Sequence, residues 1–184
     1  MKWLIASDLH GSAYYCRKLL EAFEREQADR LLFLGDILYH GPRNDLPEGY
    51  APKEVFAMLN EHARDMLCVR GNCDADIDQA VLAFPVMADY ALIPIGRRMI
   101  FVTHGHLFNT EKLPPLHDGD ILLHGHTHVS VCEDRGTFVY MNPGSLSLPK
   151  DGTPHGYMTL EDGTFLWKTV DGEVYRTYRV PADV

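Results

Sequence analysis

Five short apolar runs each stop at a polar cluster rich in Asp, His or Gly: WLIAS (3–7), RLLFLG (30–35), DMLCVRG (65–71), RMIFVTH (98–104) and ILLHG (121–125). Runs of this length, Leu-rich or β-branched, read as buried strands. Between the first two, SAYYCRKLLEAFEREQ (12–27) sets Cys16, Leu19, Leu20 and Phe23 at helical spacing behind Ser12 as N-cap. A second helix fits 51–64, with Pro52 in its first turn and Val55, Leu59 and His62 on one face. Strands alternating with helices imply right-handed crossovers and parallel pairing. From residue 90 the pattern turns to strands. ALIPIG and RMIFVTH read as a hairpin, and Asp162-Gly163 and Asp171-Gly172 are turn signals among FVYMN, YMTLE, FLWKTV and VYRTYRV. The longest irregular stretch is 37–50, ILYHGPRNDLPEGY. The expectation is an α/β chain whose second half is mostly β. With 184 residues and 46% apolar content, residues 1–184 read as one domain with its own core.

Charge and cysteine usage exclude several classes. The net charge is −9 with no block of Lys or Arg, which argues against a surface that tracks a long nucleic acid. In MKWLIASD the apolar run meets Asp8 too early for a signal peptide, and no later stretch approaches a membrane span. A cytoplasmic protein with no membrane partner is expected. The four cysteines form no C-x-x-C pair, so neither a zinc knuckle nor a disulfide framework is indicated, and reduced thiols are expected.

The chemistry sits at the carboxyl ends of the five runs: Asp8-Leu9-His10, Gly35-Asp36, Gly71-Asn72-Cys73-Asp74, His104-Gly105-His106 and Gly125-His126-Thr127-His128. In open α/β architectures such strand ends converge on one crevice. Asp, His and Asn together suit two octahedral or five-coordinate divalent ions such as Mn²⁺, Fe²⁺ or Zn²⁺ better than a structural zinc. Within LLHGHTHVS, His124, His126 and His128 alternate, and they would share one strand face if the strand ran on through Gly125.

D-x-H, G-D followed by Gly41-Pro42, G-N-x-D, T-H-G-H and G-H-x-H, in that order, resemble the calcineurin-like metallophosphoesterases. GNCD, THGH and NPGS resemble their small bacterial and archaeal phosphodiesterase branch, and the match runs from residue 7 to about 149. The resemblance implies an α/β sandwich of two mixed β-sheets flanked by helices. It implies two divalent cations, manganese first with Fe, Zn or Ni as alternatives: Asp8, His10, Asp36 and His128 on one, and Asp36, Asn72, His104 and His126 on the other, Asp36 bridging. The implied activity is hydrolysis of a small phosphodiester by in-line attack of a metal-bridging hydroxide, with no covalent enzyme intermediate. Two dications against two carboxylates and a hydroxide leave a site of about +1 in an acidic protein. Asp36, Asn72, Cys73 and His106 are the catalytic candidates. Gly125 is expected to turn the backbone so that His126 and His128 reach different metals. His124 is expected to steady a ligand imidazole, and His106 to do the same or to touch substrate. A phosphomonoesterase and a non-catalytic scaffold of the same fold are the alternatives, and a homo-oligomer is compatible with either. The H-x-H-x-D-H pattern of metallo-β-lactamase relatives fails, because Thr127 stands before His128 where Asp is required.

The main departure from the family pattern is Cys73, where members commonly carry His after G-N to protonate the leaving oxygen. A thiol of reference pKa about 8.5 is a poor acid, and two nearby dications favour its thiolate. Leaving groups stable without a proton are therefore expected, with His40, His106 and Arg43 ranking behind a missing acid. His62, His117 and His155 read as hydrogen-bonded core, Tyr14, Tyr15 and Phe23 as helix-face core, and Asn142-Pro143-Gly144-Ser145 as a turn that the resemblance places beneath the site.

Overall fold

The computed structural model describes residues 1–181. Strand β1 (Trp3–Ala6), helix α1 (Ala13–Arg25), strand β2 (Arg30–Phe33), helix α2 (Pro52–Glu61) and strand β3 (Met66–Cys68) follow the predicted alternation. β1 pairs parallel with β2, and β2 with β3. Ser12 caps α1 by accepting from the Tyr15 amide at 3.1 Å, and Cys16, Leu19 and Phe23 are buried. Pro52 opens α2, which buries Val55 and Leu59, while His62 lies past the last turn as the C-cap. Leu4 and Ala6 of β1 and Leu31 and Phe33 of β2 pack with the helices, whereas Ile5 and Leu32 face the other way into a second cluster. Burial on both faces is why these strands read as unbroken apolar runs.

Beyond a short helix α3 (Asp76–Val81), the chain forms β4 (Tyr90–Ile95), β5 (Arg98–Thr103), β6 (Asp120–Leu123), β7 (Ser130–Asp134), β8 (Phe138–Pro143), β9 (Gly156–Glu161), β10 (Thr164–Thr169) and β11 (Val174–Arg179). The expected β4–β5 hairpin is present, as are the β9–β10 and β10–β11 hairpins. The strands make two mixed sheets, of order β11-β10-β9-β1-β2-β3 and β4-β5-β6-β8-β7. The five strands expected to feed one crevice therefore divide three and two between the sheets. Ile5, Leu32, Val102, Leu123, Met141, Phe165 and Trp167 fill the space between them. Helices α1 and α2 cover the outer face of the first sheet. Phe101, Leu122 and Tyr140 on the outer face of the second sheet pack with Phe108 and Leu116 of the 104–119 loop.

Two elements escaped sequence reading. β7 is a sheet-edge strand whose residues become progressively exposed, and α3 buries no side chain, so neither carries an apolar period. Asp78 holds the start of α3 instead, accepting from the Ala75 amide at 2.8 Å.

Candidate metal centre

Asp8, His10, Asp36, His126 and His128 all take positive φ, between 51° and 67°. Non-glycine residues rarely adopt this left-handed backbone, and its strain persists only where the surroundings enforce it. Backbone bonds enforce it here: the Asp8 amide donates to the Gly35 carbonyl at 3.1 Å, and the His10 amide to the Asp36 carbonyl at 2.9 Å. The turns after β1 and β2 are thereby stitched to each other.

Three imidazoles are then fixed from behind by main-chain carbonyls. Nδ1 of His10 bonds the Tyr39 oxygen at 2.8 Å, Nδ1 of His104 the Leu34 oxygen at 2.6 Å, and Nδ1 of His128 the Leu148 oxygen at 2.7 Å. A carbonyl cannot donate, so each Nδ1 carries the proton and each Nε2 is left as the inward-facing ligand atom. Nε2 of His10 and of His128 stand 3.2 Å apart, with Asp8 Oδ1 at 3.6 and 3.3 Å from them. Asp8 Oδ1 is fully buried and accepts no hydrogen bond. A buried, unsatisfied carboxylate oxygen beside two converging lone pairs is strongly unfavourable unless a cation or protons sit among them. Asp36 Oδ2 lies 3.7 Å from His10 Nε2 and 3.5 Å from His104 Nε2, while Asn72 Oδ1 is 3.1 Å from His104 Nε2. The Asp36 carboxylate thus stands between two sets of donors. Three sets have ligand atoms within 4.8 Å of one another: Asp8, His10 and His128; Asp8, Asp36 and His104; and His10, Asp36 and Cys73. These donors fit divalent cations. His126 meets His104 less directly: their ring centroids are 5.0 Å apart, and the His126 ring nitrogens belong to none of these sets.

The electrostatics match this geometry. Burial pushes the Asp8 carboxyl up, but the imidazoles of His10 and His128 beside Oδ1, with the charge of His104, outweigh it and hold the group well below the usual range. Burial opposes a charged His104, yet its hydrogen bond to Asp36 and the two carboxylate charges raise it to about 9. Without a cation, protons take the positive role. Burial, joined by the charges of His104 and His126, lowers His106 to about 4. Burial and the neighbouring Asp36 carboxylate push the Cys73 thiol up to about 12.

A cavity of about 460 Å³ opens over the donors, lined by His10, Asp36, Asn72, Cys73, His126 and His128 among others. Cys73 is half-buried there, its sulfur accepting from Asn72 Nδ2 at 3.2 Å. His106 stands beside His104 at 5.4 Å between ring centroids, makes no hydrogen bond through Nδ1, and does not line this cavity.

The strand ends at Leu123, so the condition for His124, His126 and His128 to share a strand face is not met. Two expectations need correction. Gly125 does not supply the left-handed turn, which His126 and His128 make themselves; it is needed because a Cβ there would lie 1.9 Å from Ser7 Oγ and 2.7 Å from Asp8 Oδ2. His124 steadies no ligand imidazole: its Nδ1 bonds the Gly125 carbonyl at 3.0 Å and its ring stacks on Tyr140.

The supporting residues were mostly missed. Ser7 donates to Asp8 Oδ2 at 2.6 Å, and the His126 amide donates to the same oxygen at 3.0 Å. Asp74 accepts from the amides of Asp36, Ile37 and Gly71 at 2.8, 2.9 and 2.7 Å, tying the G-D and G-N turns together. The Cys73 amide fixes Asp36 Oδ1 at 2.8 Å. Asn142 donates to the Gly125 carbonyl at 2.9 Å and to Thr127 Oγ1 at 3.0 Å, and Ser145 donates to the Asp8 carbonyl at 2.7 Å. The 142–145 segment, whose first two residues end β8, does pack beneath the site. Asp74 had a sequence signal as the last letter of G-N-x-D; Ser7 had none beyond its position before Asp8.

A family profile described as a calcineurin-like phosphoesterase superfamily domain matches residues 1–163. The chain belongs to that superfamily. It is 48% identical over 162 residues to "Phosphodiesterase YfcE" of Escherichia coli K12, spanning 88% of each chain. It is 27% identical over 175 residues to a "Probable metallophosphoesterase YsnB" of Bacillus subtilis, covering 88% of this chain and 86% of the other. The solved structure of E. coli YfcE, described as a phosphoesterase, superposes with a TM-score of 0.94 at 43% identity, over 98% of this chain and all of the other. The two-sheet α/β fold is the metallophosphoesterase fold of that enzyme. Zinc-bound Vps29 of Entamoeba histolytica shares the fold alone, with a TM-score of 0.64 at 24% identity over 98% of this chain and all of the other. Among the described residues no helix is long and apolar enough to cross a membrane, and all four cysteines are free.

Proposed function

We propose that this chain is a metal-dependent phosphoric diester hydrolase, a single metallophosphoesterase domain over 1–184 that acts in the cytoplasm on small phosphodiesters. The observation that carries the reading is the shared Asp36 carboxylate, 3.7 Å from His10 Nε2 and 3.5 Å from His104 Nε2, next to the unpartnered Asp8 Oδ1. Two divalent cations, manganese by preference, would be held by Asp8, His10, Asp36 and His128 on one side and by Asp36, Asn72, His104 and His126 on the other. Cations held so would supply the charge that draws a phosphodiester into an acidic protein and would activate water for in-line attack.

The chain's own residues do the rest. The Tyr39, Leu34 and Leu148 carbonyls keep Nδ1 of their histidines protonated and Nε2 free. Asn72 and Cys73 line the cavity where the ester oxygens would lie. Lowered to about 4, His106 is a neutral imidazole at pH 7 and brings no proton to the leaving group. With no acid of suitable pKa along the cavity wall at Cys73, departure of the alkoxide or phenoxide goes unassisted, which favours aryl diesters. The kinship with a phosphodiesterase at 48% identity supports diesters over monoesters. The test is metal analysis together with hydrolysis of bis(4-nitrophenyl) phosphate, with and without added Mn²⁺. Manganese-dependent turnover at two ions per chain is the expected result. No turnover at full metal occupancy would instead favour a binding role like that of a scaffold.

A further inference from the structure

Beside the metal-facing cavity lies a second one of about 610 Å³. The two share Pro42 and Arg43 from the 37–50 loop and Asn72 and Cys73 from beyond β3, so each opens past the same four residues. Gly41 keeps the loop close, since a Cβ there would lie 3.1 Å from the Cys73 sulfur, and Asn44 Nδ2 pins the loop by donating to the His40 carbonyl at 2.8 Å. Arg43 lines both cavities, and among the described residues it makes no ion pair or hydrogen bond. Arg70, in the wall of the second cavity, spends only Nε, on the Asp74 carbonyl at 3.3 Å. Of the acids facing them, Asp74 has both carboxylate oxygens engaged by three backbone amides, which leaves Asp76 at the rim. Tyr39, 42% exposed as a residue, completes the wall, while its carbonyl holds His10.

A guanidinium does not give up its proton near neutral pH, so Arg43 cannot stand in for the missing acid at Cys73. Its planar fork, like that of Arg70, matches a carboxylate or a phosphate. Two such forks with spare donors, converging on a concavity in a chain of net charge −9, mark a place for an anion. We infer that the second cavity takes the far end of the substrate, and that the substrate is a phosphodiester one of whose substituents carries its own oxyanion. Arg43 and Arg70 grip that oxyanion, and Tyr39 lies against the carbon skeleton joining it to the scissile phosphate. This inference rests on the phosphodiesterase reading above and adds the class of substrate.

The test compares 4-nitrophenyl phenyl phosphate with analogues carrying a carboxylate or a phosphate at the meta position of the phenyl ring, all with the same leaving group, on the manganese-loaded protein. The charged analogues are expected to show kcat/KM at least tenfold above the neutral one, chiefly through KM, with the carboxylate and phosphate arms showing which oxyanion fits. Arg43→Ala and Arg70→Met are each expected to reduce that ratio below threefold, and Arg43→Lys to leave it intermediate. A general loss of activity from disturbed folding would leave the ratio unchanged, because both substrates share the chemistry. A ratio near one in the parent, or one that survives both variants, overturns the inference. Should the neutral diester itself go unhydrolysed, the hydrolase reading fails first. Calorimetric titration with phenyl phenylphosphonate, with and without a meta-carboxylate, then decides the subsite, and equal affinities refute it.

Discussion

Ser7 and Gly125 meet behind Asp8 so tightly that a single methyl group should uncouple the metal centre. Ser7 Oγ donates to Asp8 Oδ2 at 2.6 Å, leaving Oδ1 to face the Nε2 atoms of His10 and His128. Removing a partner that orients a metal-binding side chain typically costs about 10- to 100-fold in affinity, and a hydrogen bond to a charged group is worth roughly 1.5–3 kcal/mol, the same range. Ser7→Ala should therefore weaken manganese binding by about one to two orders of magnitude, and the lost hydrogen bond should lower the stability of the metal-free fold as well. Gly125→Ala should do more. Its backbone lies outside the left-handed region and accepts alanine, but the new Cβ would sit 1.9 Å from Ser7 Oγ and 2.7 Å from Asp8 Oδ2, so both side chains must move. Overpacking of this kind costs about 1–3 kcal/mol, which in a chain of this size lowers Tm by roughly 2–12 °C, and displacing the carboxylate should weaken manganese binding about 100-fold or more. In the double variant Ser7→Gly/Gly125→Ala the clash with Ser7 is relieved but the one with Asp8 Oδ2 is not, so Tm should recover only in part and affinity should stay below the Ser7→Ala level. Calorimetric titration of manganese into metal-stripped protein and thermal melts read both quantities. Binding within twofold of the parent in both Ser7→Ala and Gly125→Ala would refute the idea that this contact aims Asp8.

Asp74→Ala leaves the amides of Asp36, Ile37 and Gly71 buried without an acceptor; at about 1–3 kcal/mol for each unsatisfied group, Tm should fall by roughly 10 °C or more, and an unchanged melt would show that water replaces the carboxylate at no cost. His104, raised to about 9 in the metal-free protein, stabilises the fold below its ordinary pKa near 6.5 and ceases to do so as pH rises through about 9. A cation needs its Nε2 lone pair, so manganese affinity should climb across that same window with release of a proton, read by titration in buffers of different ionisation enthalpy; a flat profile speaks against His104 as a ligand. Cys73→His places an imidazole where the parent thiol is pushed up to about 12, and it should flatten the dependence of rate on leaving-group pKa and improve alkyl esters more than aryl ones. Equal, shallow slopes in parent and variant would remove the missing-acid explanation.

Much of this centre was legible in the order of residues. Asp8, His10, Asp36, Asn72, His104, His126 and His128 follow strands whose apolar runs are short and bounded, so their places at strand ends were readable without coordinates. Helices α1 and α2 were readable because each buries one stripe. β7 and α3 were not, because an edge strand and an unburied turn of helix have no apolar period to show. Nor does the alternation His124-His126-His128 carry its own geometry: it would put the three on one face only if the strand ran on, and the strand ends at Leu123.

The sequence by itself determined which chemistry is present, since donor types, their order and the strands that carry them are local properties of the chain. Only the tertiary structure decided which donors meet, because that depends on two sheets closing over Trp167 and Phe165 and on hydrogen bonds between residues far apart in the chain. Ser145, 137 positions from the Asp8 carbonyl it holds, shows the distinction. Nothing local to either residue requires the other, and burial of polar groups that must find partners is what brings them together.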